Sequence, residues 1–144
     1  MKSRLLLTLL LPLLVILAAC DCSKWYGKYR AGYSFVSGAV YGVLDPLAGV
    51  DPGIGARYNP LKTALEAANS LIDRLCAADP GAKEQQDLAA AIANGAQLVS
   101  EIAKVYGDVV RPRDLEEARA WKETVAEMEG LQAEIQQAAE RGTR

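Results

Sequence analysis

The sequence predicts an all-α protein, a small bundle of three to four helices, and three observations carry that expectation. Apolar residues recur at three- and four-residue steps in several separate stretches, the spacing of one helix face. No stretch of useful length alternates apolar and polar residues as a half-buried strand would. Pro, Gly, Asn and Asp gather between the periodic stretches, where they start or stop helices. With 144 residues the chain has room for one domain with a modest core.

The first helix is expected over residues 24–44. Tyr26, Tyr29, Tyr33, Val36, Val40 and Leu44 share one face, and Ser34, Gly38 and Gly42 line another that would let a second helix approach closely. Residues 45–58 hold Asp45-Pro46, Asp51-Pro52-Gly53 and Gly55 and read as a loop. The second helix, about 60–78, opens on Asn59-Pro60 and carries a stripe of Leu61, Leu65, Ala68, Leu71, Ile72 and Leu75. A third, about 82–106, opens at Asp79-Pro80. It presents Leu88, Ile92, Val99, Ile102 and Val105, with Lys104 in the last turn and Gly107 as the stop. Asn94-Gly95 weakens its middle, and its alanines favour helix while making thin contacts.

The last helix, about 112–141 after Arg111-Pro112, is the clearest. Ala118, Trp121, Val125, Met128, Gln132 and Ile135 form a seam, and Glu116, Glu117, Arg119, Glu123, Glu127 and Glu134 cover the rest. Its three heptads and polar Gln132 do not support a long coiled coil. Stripes this narrow are not stable alone and must bury one another. The expected division is a leader at 1–19, a membrane-proximal helix and loop at 20–58, and a helical domain at 59–144. The apolar stretch from Ala31 to Val50 is marginal for a membrane span, and Asp45-Pro46 and its glycines interrupt it.

The N-terminus points to a compartment. Lys2 and Arg4 precede an apolar run from Leu5 to Leu17, and small Ala18 and Ala19 follow, which is the three-part layout of a secretory signal. The run is shorter than the roughly 20 residues a membrane span needs. Leu17-Ala18-Ala19-Cys20 resembles the lipobox of bacterial lipoproteins. That resemblance covers residues 1–21 only, and the family of the domain that follows is not recognised. It implies that a diacylglycerol is attached to the Cys20 thiol, that the leader is cut just before Cys20, and that acyl chains such as palmitate anchor the protein. In that family Asp21 resembles the signal that retains a lipoprotein at the periplasmic face of the inner membrane; an outer-membrane or cell-surface destination is the alternative.

With Cys20 acylated, Cys22 and Cys76 remain, an even number in an oxidising compartment. Antiparallel packing of the first two helices would bring them together as a disulfide; the other reading makes Cys76 a small core residue and Cys22 its idle neighbour.

Composition narrows the chemistry. The chain has no His, the commonest metal ligand and the usual general base near neutral pH. With Lys2 and Arg4 in the leader, the rest carries 14 of the 16 basic residues against all 18 acidic ones, a balance unsuited to nucleic acid. Asp-Pro pairs at 45, 51 and 79 read as turns and helix starts, not as metal ligands. Glu66 and Asp73, seven apart on one helix, are the only carboxylate pair to suggest an envelope hydrolase, and a solvated face explains them better. Gly53-Ile54-Gly55 lacks the third glycine and the strand of a dinucleotide loop. No catalytic residue, metal site or cofactor is expected.

The stretch after the lipid is a better candidate. Lys24, Lys28 and Arg30 alternate with Trp25, Tyr26, Tyr29 and Tyr33, a mixture suited to anionic headgroups, although the same spacing suits ordinary core tyrosines. The functional expectation is a lipid-anchored, non-enzymatic adaptor or assembly factor of the bacterial envelope that offers its C-terminal amphipathic helix to a protein partner. The alternative is a phage or prophage lipoprotein of superinfection exclusion or lysis, suggested by the glycine-rich stretch from Gly32 to Gly55.

Overall fold

A computed structural model describes residues 22–78, 81–110 and 115–142. The leader, Cys20, Asp21 and the expected helix starts at Asp79-Pro80 and Arg111-Pro112 lie outside the described residues. The fold is a small all-α bundle, as the periodicity predicts, with no strand among the described residues. Tyr26–Phe35, a π-helical turn at Val36–Val40 and Tyr41–Val50 follow one another directly and form one rod, α1. The other helices are α2 (Pro52–Ala77), α3 (Ala82–Val110) and α4 (Leu115–Gly142).

The expected loop at 45–58 is not a loop. Only Asp51 leaves the helical path, with φ −121° and ψ 107°, the extended backbone that a following proline favours. Its carboxylate accepts from the backbone N–H of Gly53 at 2.9 Å and of Ile54 at 3.4 Å, and Pro52 supplies the first helical position. Because this cap comes eight residues before Asn59-Pro60, the helix has already formed when it reaches Pro60. Pro46 and Pro60 both sit inside helices. Each removes the N–H that would serve the carbonyl four residues earlier, on Gly42 and Ala56, and both of those residues are exposed, so water takes over.

The expected division at residue 58 therefore falls inside α2, and α1 shares one continuous core with the other helices. Around the bundle α1 packs on α2, α2 on α3, α3 on α4, and the start of α1 on α4; α3 also meets α1 across the centre, while α2 and α4 lie on the diagonal. Val36, Val40 and Leu44 of α1, Leu65 and Ile72 of α2, Leu88, Ile92, Val99 and Ile102 of α3, and Met128 of α4 are all fully buried. Each contributes about 1.5–3 kcal/mol on leaving water. The α3 stripe is as the sequence predicts. On α2, Leu71 turns outward and is 40% exposed. On α4 the stripe is rotated, with Thr124, Met128, Leu131 and Ile135 buried and Gln132 only half-buried.

Two glycines expected to weaken or stop α3 instead let neighbours in. The helix runs unbroken through both. A Cβ on Gly95 would stand 2.7 Å from Tyr29 Cε2 and 3.2 Å from Ile72 Cδ1, and the Trp121 indole lies against Gly107. Gly38 and Gly42 behave in the opposite way, for they are exposed with nothing near the place a Cβ would occupy. The small-residue face of α1 thus looks outward and is not a helix contact. Gly95→Ala is expected to destabilise by about 1–3 kcal/mol through overpacking, despite alanine's better helix propensity. Gly130→Ala, in open space on α4, is expected to stabilise by about 0.5–1 kcal/mol. Urea unfolding of the two variants checks the opposite signs.

Candidate functional site

The most organised polar region is the seam between α1 and α2. Along Tyr26–Phe35 the two backbones stay largely apart, and tyrosine rings bridge the gap. Tyr29 is fully buried and its hydroxyl donates to Asn69 Oδ1 at 2.9 Å. The same oxygen accepts from Arg30 Nη1 at 3.2 Å, and Asn69 Nδ2 donates to Asp73 Oδ2 at 3.4 Å. Tyr26 donates to Asp73 Oδ1 at 3.3 Å. Glu66 receives two phenols: Tyr33 at 3.0 Å and Tyr41 at 2.9 Å.

The π turn makes the double contact on Glu66 possible. At about 100° per residue, positions 33 and 41 of a regular α-helix would point roughly 80° apart; one residue absorbed by a π turn brings them to within about 20°. At the hairpin end, Tyr58 donates to Asp45 Oδ1 at 2.6 Å, and Lys62 Nζ reaches both Asp45 oxygens at 2.9 Å while sitting 4.6 Å from the Tyr41 ring centre. Asp45, expected as a turn former, is instead a clamp between α1 and α2. At the opposite end Cys22 and Cys76 stand at disulfide distance, with Cα atoms 5.2 Å apart. A bridge closing a loop of this size stabilises by about 4 kcal/mol on the chain-entropy view.

Burial raises the hydroxyl pKa of Tyr29, Tyr41 and Tyr58 well above the ordinary phenol value, and neighbouring carboxylates push in the same direction: Glu66 on Tyr41, Asp45 on Tyr58. Tyr33 is raised by burial and by its hydrogen bond to Glu66. For Asp45 burial acts upward, but donation from Lys62 and Tyr58 outweighs it and the carboxyl is held below its usual value.

These contacts place the α1 tyrosines in the seam with α2. Tyr29 has no exposed surface with which to meet a membrane, and the hydroxyls of Tyr26 and Tyr33 turn toward α2. Arg30 is half-buried over the Tyr33 ring, 5.0 Å from its centre. Of the expected membrane contacts, Lys24 and Lys28 remain exposed; Lys24 lies 4.7 Å from the Trp25 ring centre, and Lys28 stands 3.8 Å from Glu134 of α4. Asp73 lies on an exposed face, as the solvated reading expects, while Glu66 is half-buried; both accept from α1 tyrosines. Residue spacing alone does not single out Asn69. Its signal is a polar side chain on the stripe of Leu65, Ala68 and Ile72 that faces the α1 tyrosines.

Among the described residues no three His, Cys, Asp or Glu side chains gather as a metal site, and no helix is long and apolar enough to cross a membrane. The exposed face of α4 carries Glu116, Glu123 and Glu127, while Glu129 pairs with Lys104 of α3 at 2.7 Å. No protein-family model matches the chain, and no curated protein or solved structure does so either.

Because the folded tyrosines hold their protons more tightly than the unfolded chain does, the stability they supply is complete below the ordinary phenol pKa of 10.0 and is lost as pH rises past it toward the higher folded values. Thermal unfolding followed from pH 8 to 12 is expected to show Tm falling above about pH 10. Tyr41→Phe should lower stability at pH 7 by about 1 kcal/mol and flatten the alkaline fall.

Proposed function

We propose that this chain is a lipid-anchored, non-enzymatic adaptor or assembly factor at the periplasmic face of a bacterial inner membrane. The observation that carries the proposal is the joint arrangement of its cysteines. Cys20 ends a lipobox-like run, and two residues later Cys22 stands at disulfide distance from Cys76. A bridge of this kind persists outside the cytoplasm, the same side on which a lipobox leader would deliver the protein.

The surface supports the adaptor role in preference to an enzymatic one. The best-organised polar groups, Glu66, Asn69 and Asp73, are engaged by Tyr26, Tyr29, Tyr33, Tyr41 and Arg30, and so serve to join two helices. The outward side of α4 offers a rigid row of carboxylates at Glu116, Glu123 and Glu127 on a helix whose other side is fixed in the core. A partner with a basic surface would be drawn to it in a salt-dependent way.

Labelling cells with a palmitate analogue, followed by fractionation and intact mass of the mature protein, tests the anchor. The expected result is a protein starting at Cys20, acylated, bridged and in the inner-membrane fraction, with Cys20→Ser unlabelled and no longer processed at that site. Cross-linking in the membrane tests the adaptor: reversing Glu123 and Glu127 to Lys should reduce capture of a specific partner about tenfold without changing Tm. An unlabelled parent protein would overturn the anchor, and equal capture by both proteins would overturn the role given to α4.

A further inference from the structure

A groove of about 590 Å³ opens between the start of α3 and the end of α4, beside the first residues of α1. Trp25, Gln85, Ala89, Ala90, Ile135 and Ala139 are among its walls. The alanines explain why it exists, since their short side chains hold helix without filling the space between helices. Its volume falls within the range of ligand sites, about 300–1,000 Å³. If a methylene takes up about the share of one liquid water, ~30 Å³, the groove holds on the order of twenty of them.

Two details connect this groove with the N-terminus. Gln85 Nε2 donates to the Cys22 carbonyl at 3.5 Å, and Trp25 is only three residues further along. Cys22 is held in turn against Cys76. Cys20 precedes Cys22 by two residues in the sequence, and two residues of chain span at most about 7 Å. In addition, the Trp25 indole N–H is buried and has no hydrogen-bond partner among the described residues, a donor suited to a carbonyl oxygen.

We propose that this groove takes one acyl chain of the lipid carried by Cys20, with a lipid carbonyl accepting from Trp25 Nε1. The inference rests on the lipoprotein reading given above and adds to it. One chain folded against Ala89, Ala90 and Ile135 leaves the bilayer, so the protein is held by fewer chains than it carries. Each buried methylene contributes to anchorage, and a retracted chain makes that anchorage adjustable.

The test uses the full-length protein made in cells fed a palmitate analogue bearing a photoactivatable diazirine. After illumination in intact membranes, peptide mapping is expected to find the fatty acid joined to the segments around Ala89 and Ile135 of its own chain. Ala90→Phe and Ala139→Phe each place a ring at an exposed groove position, away from the core, and each should reduce that internal cross-link at least tenfold while acylation stays unchanged. Acylated protein cross-linked only to bilayer lipid, or equally in both variants, overturns the groove and leaves the anchor standing. Absence of the analogue from the protein overturns both together.

Discussion

The bundle depends on one constraint, that a buried phenol must give its proton to an acceptor. Four tyrosines on α1 add to the apolar area of Val36, Val40 and Leu44, and the hydroxyls of the buried two, Tyr29 and Tyr41, would be costly to leave unpaired. The acceptors come from α2, as Asp73, Asn69 and Glu66. This matching sets the register of α1 against α2 more sharply than apolar contact would, because a shift by one residue would strand several hydroxyls at once.

From that register much else follows. With Tyr29 fixed by Asn69, its ring occupies the space beside Gly95, so α3 must lack a side chain there. The same register puts Asp45 within reach of Tyr58 and Lys62 at one end and Cys22 beside Cys76 at the other. The α1–α2 pair is thus closed at both ends, by an ion-paired clamp and by a cysteine pair, with the hydrogen-bonded seam between them. Helix α4 is held in another way. It packs through Met128, Leu131 and Ile135 and joins α3 and α1 by the exposed pairs Lys104–Glu129 and Lys28–Glu134, which add about 0–1 kcal/mol each.

This arrangement separates structural polarity from available polarity. The acid pair Glu66 and Asp73 belongs to the α1–α2 seam, while Glu116, Glu123 and Glu127 form a row facing water along α4. The Cys22 end of α1 combines a pinned chain, an indole N–H with no partner among the described residues and an alanine-walled groove. On the function proposed above, anchorage and recognition would fall in different places, the first at the Cys22 end of α1 and the second along the outer side of α4.

By itself the sequence determined the helical class and the apolar stripes of α1 and α3. These are local properties, written in residue spacing over a few turns. Only the tertiary structure decided which of two competing caps began α2, since Asp51-Pro52 and Asn59-Pro60 are both good start signals and packing of Leu44, Tyr58 and Leu65 selects the earlier one. It also showed that the tyrosine hydroxyls are met by α2, which spacing alone leaves open between a membrane and a helix. Their spacing is the same in both cases, and what differs is the set of acceptors 25 to 47 residues away. The π turn and the roles of Gly95 and Gly107 were not legible for the same reason. Each answers to the shape of a neighbour brought close by folding, and no local pattern records it.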